Sequence, residues 1–165
     1  MAKKSCENLA IHGGEPVKKT AYTTKHKHSL EEWRALKPMF ERGEIAMARG
    51  PEVMKLREEY CKRMGLKYAV TTSSGTAALH AATGALGIGR GDEVITSPVT
   101  DMGTVIAIMA QNAVTVFADI DPETLMMTPA TIAKKITRRT KAIIVVHWCG
   151  LCSDMPGIMK LARKH

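Results

Sequence analysis

The chain has 165 residues, 45% of them hydrophobic and only 4% aromatic, and carries a formal net charge of +8. That length supports one domain with a real core, and the hydrophobic share excludes a disordered chain. The positive residues are scattered, with no aromatic pair interleaved among them, which argues against a nucleic-acid surface and for a solvated basic face or attraction to phosphorylated ligands. No run approaches the about eighteen apolar residues of a membrane span. The start, from Met1 to Asn8, has no apolar segment after its lysines. No secretory signal is therefore expected, and a cytoplasmic location is the default. Eleven methionines and few aromatics predict an aliphatic core filled out with methionine.

Residues 1–28 read as a polar, irregular N-terminal arm, broken by Gly13-Gly14 and Pro16. His26 and His28 alternate with lysines there, but two histidines without a third ligand fit an exposed loop better than a metal site. Ser29 with Glu32 makes a capping-box pattern and predicts a helix over 30–42, bent near Pro38 and stopped by Gly43. Pro51 then stands at the first position of a second helix that Gly65 ends. Val53, Leu56, Tyr60 and Met64 fall at helical spacing and are expected to form its buried face.

From residue 68 a βα rhythm begins. Strands are expected over 68–71, 93–96, 114–118 and 142–146. Helices are expected over 76–86, 102–111, 129–136 with Thr128 as N-cap, and 154–164. Such alternation means right-handed crossovers and an α/β fold, a mainly parallel sheet with helices on both faces. Ligands gather at the carboxyl ends of strands in these sheets. The loops at 72–76, 97–103, 119–121 and 147–153 then share one edge. The turn Ser73-Ser74-Gly75-Thr76 has small side chains and one glycine, and it opens a helix. It reads either as a plain N-cap or as a seat for a phosphate or carboxylate at the helix's free N–H groups.

The runs Ser73–His80, Ala85–Ile95, Val116–Thr124 and Arg139–His147, with Ile11–Val17 ahead of them, occur in order across nearly the whole chain. They resemble the DegT/DnrJ/EryC1/StrS family, pyridoxal-phosphate aminotransferases of the aspartate-aminotransferase fold. Many of its members act on nucleotide-linked keto-sugars with an amino-acid donor. The resemblance implies that residues 29–165 are part of the large domain and that the arm 1–28 lies over it toward the active site of a homodimer; from the charge pattern and the apolar runs, no nucleic acid or membrane partner is expected. It also implies that Ser74, Gly75 and Thr76 form the cup for the cofactor phosphate. In the loop 97–104 the family usually carries an aromatic residue that stacks on the cofactor ring. Here Asp101 and Met102 stand nearest, and neither is aromatic. A methionine can press on a ring face through its sulfur, while Asp101 also reads as a helix N-cap.

The reaction further needs a lysine to bond the cofactor aldehyde and an aspartate to pair with the pyridinium nitrogen. The resemblance places both beyond residue 165, and no lysine of this chain stands in the matching motif. No catalytic residue is therefore assigned. The chain is expected to be an N-terminal portion of such an enzyme, inactive alone or completed by a second chain. Three remaining features have rival readings. Asp119 and Asp121 suit a metal or acid–base pair, or simply a turn at Asp121-Pro122. His147-Trp148-Cys149-Gly150-Leu151-Cys152, between a strand and a helix, looks like a thioredoxin redox site. The family pattern matches His147, Gly150 and Asp154-Met155 instead, and a buried or half-buried thiol pair is expected. His80 reads as a packed, hydrogen-bonded helix residue.

Overall fold

The computed structural model describes residues 9–20, 28–43, 45 and 49–165. The chain divides into two units, Met1–Ile45 and Ala46–His165. In the first, helix α1 (Leu30–Arg42) is capped as its sequence predicts. Ser29 Oγ accepts the Glu32 N–H at 3.2 Å, and the Glu32 carboxylate accepts the Ser29 N–H in return. The helix runs unbroken through Pro38 and ends at Gly43, whose φ of +66° suits a residue without a Cβ. His28 is exposed, while Lys25, His26 and Lys27 lie outside the described residues.

The second unit is built around strand β1 (Glu93–Thr96), all four residues of which are buried. It pairs in parallel with β2 (Val114–Phe117) on one side and with β3 (Thr140–Ile144) on the other, giving the order β2-β1-β3. Successive strand side chains point to opposite faces, so Val94 and Ile95 seed two cores. Ile95 packs with Ala118, Met127, Ile132 and Ile158. Val94 packs with Ile88, Ile108 and Ala113. Helix α4 (Met102–Met109) therefore covers one face, and α5 (Pro129–Ala133) with α6 (Met155–Lys164) covers the other. Helix α3 (Gly75–Ala85) packs on α4, where Thr83 Oγ1 reaches the Ala107 carbonyl at 3.4 Å.

At the amino end of β1, Glu93 is a buried carboxylate with three donors. Thr137 Oγ1 gives one bond at 2.5 Å, and Arg139 gives two, from Nε at 2.8 Å and Nη2 at 2.6 Å. The Thr137 hydroxyl holds the Glu93 carboxyl below its usual range, with Arg139 adding to the effect against the opposing cost of burial. This latch ties the start of β3 to β1.

Three expectations are overturned here. Residues 68–71 form no strand, and Tyr68 and Val70 are exposed. A strand is completed by a ladder partner, and among the described residues none lies beside this segment. Arg57 Nε instead holds the Ala69 carbonyl at 2.7 Å. The apolar face of α2 (Pro51–Met64) is not buried either. Val53 is half-buried, whereas Leu56, Tyr60 and Met64 are exposed. Helical spacing marks an apolar face but not what covers it. Last, β3 starts and ends two residues early, at Thr140–Ile144, leaving Val145 and Val146 half-buried just past it.

Candidate functional site

The three parallel strands all point their carboxyl ends to one edge. Thr96 Oγ1 donates to the Ile144 carbonyl at 3.0 Å, so the chain leaves β1 and β3 side by side. The loop after β1 runs to Asp101, the N-cap of α4, whose Oδ1 accepts the Gly103 N–H at 2.7 Å. The turn 73–76 joins this edge through α4. A Cβ at Gly103 would lie 2.3 Å from Thr76 Oγ1 and 2.8 Å from Asp101 Oδ1. Only glycine lets the first turns of α3 and α4 come this close. Sequence reasoning passed over Gly103, because a glycine two residues into a helix looks like a weak position rather than a contact.

The start of α3 sets out its donors in a definite way. Ser74 is the N-cap: its Oγ accepts the Ala77 N–H at 3.1 Å, and its carbonyl accepts the Ala78 N–H at 3.0 Å. Thr72 Oγ1 donates to that same carbonyl at 3.0 Å and steadies the turn. Of the four N–H groups that a helix start leaves open, those of Gly75 and Thr76 remain without a partner among the described residues. Ser73, Ser74 and Gly75 are exposed, and a Cβ built at Gly75 meets nothing within 4 Å. Two backbone N–H donors without a partner among the described residues thus stand at the positive end of an eleven-residue helix, Gly75 exposed and Thr76 half-buried. That is the geometry an anionic group needs. The cap reading and the anion reading turn out to be compatible, since Ser74 caps with its side chain and leaves its two successors free. Ser74, Gly75, Thr76, Asp101 and Met102 are brought to one place, with Met102 60% exposed at the start of α4.

The rival features resolve differently. Asp121 Oδ1 accepts the N–H groups of Thr124 and Glu123 at 2.9 and 3.0 Å and the Thr124 hydroxyl at 3.2 Å. The Thr124 N–H, ahead of the others, holds the Asp121 carboxyl below its usual range. Asp121 is therefore a turn-forming residue, and Asp119 Oδ1 likewise accepts the neighbouring Ile120 N–H. His80 is exposed rather than packed. Cys149 and Cys152 are both free and exposed, not buried. Their loop passes outside the sheet, and only Ser153 at its end is drawn in.

Comparison with known proteins decides the family. The model of the DegT/DnrJ/EryC1/StrS aminotransferase family matches residues 27–165. The chain belongs to that family. It is 44% identical over 119 residues to the spore coat polysaccharide biosynthesis protein SpsC of Bacillus subtilis, covering 72% of this chain and 31% of SpsC. Among solved structures it resembles the aminotransferase of Psychrobacter cryohalolentis, with a TM-score of 0.82 and 34% identity over 88% of this chain and 37% of that one. It also resembles NtdA of Bacillus subtilis, solved with bound PMP, with a TM-score of 0.76 and 32% identity over 82% of this chain and 31% of that one. The α/β fold with its parallel sheet is that of the pyridoxal-phosphate aminotransferases. The chain spans 31–38% of the length of the curated relatives it matches. No helix among the described residues is long and apolar enough to cross a membrane.

Proposed function

We propose that this chain supplies the phosphate-binding wall of a pyridoxal-phosphate aminotransferase that works in the cytoplasm on a nucleotide-linked keto-sugar with an amino-acid donor. The observation that carries the reading is the pair of N–H groups on Gly75 and Thr76 at the start of α3, without a partner among the described residues. Pyridoxal phosphate, when bound, supplies the aldehyde and the electron sink for amino-group transfer. The residues of this chain hold it. Gly75 and Thr76 donate their N–H groups to the phosphate, and the α3 dipole favours its charge. Ser74 keeps the turn in register through its cap to Ala77. Asp101 fixes the first turn of α4 through Gly103, and Met102 offers its thioether to the face of the ring.

Residues 29–165 are part of the large domain in this reading, with 1–28 as an arm. Transamination itself is the work of the complete enzyme, a homodimer. The exposed apolar side chains of α2 (Leu56, Tyr60 and Met64) support the view that more protein covers this unit.

The experiment is equilibrium dialysis of the chain against pyridoxal phosphate and against pyridoxal. Phosphate recognition predicts that the phosphorylated form binds at least about tenfold more tightly, a difference of about 1.4 kcal/mol. Equal retention of both would contradict the reading, since aldehyde chemistry on surface lysines makes no such distinction.

A further inference from the structure

We propose that Cys149 and Cys152 form a redox-active dithiol, closed to an intramolecular disulfide by exchange with a low-molecular-weight disulfide. The inference concerns the loop between β3 and α6 and does not rest on cofactor binding. That loop is tied at its base and open at its tip. Ser153 is buried, its N–H donates to His147 Nδ1 at 3.2 Å, and its Oγ donates to the Val146 carbonyl at 3.2 Å. These two bonds pin the end of the loop to its beginning.

Between the pins the backbone turns sharply. Gly150 N–H donates to the His147 carbonyl at 3.2 Å, and Leu151 N–H donates to the Trp148 carbonyl at 3.0 Å. Cys149 and Gly150 both have positive φ, +51° and +84°. For Cys149 this is a conformation L-residues rarely adopt. Both cysteines are exposed free thiols on this clamped loop. Three residue steps span at most about 10–11 Å when extended, and a loop turned and pinned in this way spans less. A disulfide needs its Cα atoms about 5.5–6 Å apart. The Cys-x-x-Cys spacing on a turned, pinned loop thus lets the two cysteines come within disulfide range. Among the described residues no third metal-ligating side chain joins the pair, so thiol exchange is the chemistry the loop offers rather than zinc binding.

The exchange balances in two steps. One cysteine thiolate attacks a sulfur of the small disulfide, forming a mixed disulfide and expelling one small thiolate. The second cysteine thiolate then attacks the protein-bound sulfur, forming the Cys149–Cys152 bond and expelling the other. Two protein thiols lose two protons and two electrons, and the small disulfide is reduced to two thiols. Cys61, half-buried on α2, has no such neighbour among the described residues.

The test is equilibration of the reduced chain with mixtures of reduced and oxidised glutathione, acid quenching, alkylation and mass spectrometry. The tryptic peptide 142–160 holds both cysteines. The expected result is a peptide two hydrogens lighter and free of glutathione, restored by dithiothreitol. In Cys149→Ser or Cys152→Ser the remaining thiol should collect glutathione instead. The folded chain should close the ring about tenfold more readily than the same chain in urea. Separate glutathione adducts on both cysteines, a bond from either one to Cys6 or Cys61, or closure no easier in the folded chain than in urea would each overturn the proposal.

Discussion

β1 and β3 read alike in the sequence, as short apolar runs between turns, yet they hold different places in the fold. Every residue of β1 is buried, with a strand on either side and helices above and below. β3 is paired on one side only among the described residues, and its side chains are half-buried apart from exposed Lys141. A groove of about 850 Å³ runs along its other side, against α6, lined by Ile136, Ile143, Val145 and Met159 among others. Apolar composition states that a strand has something to bury. Burial itself is a property of the neighbours, and these can lie far along the chain or outside it.

The largest effect that should separate the two strands is truncation of an isoleucine. Ile95→Ala is expected to cost about 2–5 kcal/mol, as removal of a fully buried side chain from a packed core does. Ile143→Ala, on half-buried β3, is expected to cost about 1–2 kcal/mol. Urea unfolding of the two variants checks the order, and equal losses would remove the distinction. Gly103→Ala comes next. Its Cβ would fall on Thr76 Oγ1 and Asp101 Oδ1, so α3 and α4 must part, at about 1–3 kcal/mol. Thermal unfolding should register that loss even though one methyl group is the whole change.

Ser74→Ala removes a side-chain cap at an exposed helix start and is expected to cost about 1 kcal/mol, seen as a lower denaturation midpoint. The smallest effect is the acid dependence set by Glu93. Its carboxyl is held below the usual range in the fold, so the stability it lends is fully present above the unfolded carboxylate pKa. That contribution is lost as pH falls through the lowered folded value. Glu93→Gln should therefore flatten the acid limb of a stability–pH curve while leaving its slope near neutrality unchanged.

The pattern of local signals explains what could be read in advance. The capping box at Ser29 and Glu32, Pro51 at the start of α2, and the Thr128 cap are written in neighbouring residues, and all appear where expected. β1 appears over its expected residues, since a short apolar run between polar loops is a local signal as well. The turn at 73–76 was legible as a helix start, and the resemblance to the family suggested the phosphate proposed for it. What composition could not show was long-range. Residues 68–71 form no strand, Leu56, Tyr60 and Met64 of α2 are exposed among the described residues, and Gly103 matters only because α3 crosses it. Cys149 and Cys152 were expected buried or half-buried, but Ser153 takes the buried place and both thiols are exposed.

The central claim is that the N–H groups of Gly75 and Thr76 bind the phosphate of the cofactor. Gly75 is the first residue of α3, where proline fits a helix, and a Cβ there meets no atom within 4 Å. Gly75→Pro thus deletes one donor and keeps the fold. The measurement is a ¹H–¹⁵N spectrum of the chain titrated with pyridoxal phosphate. The account predicts that the Gly75 and Thr76 amide signals shift most, and that Gly75→Pro weakens the titration about tenfold with the rest of its spectrum unchanged. Shifts confined to other parts of the chain, or undiminished affinity in Gly75→Pro, would contradict it.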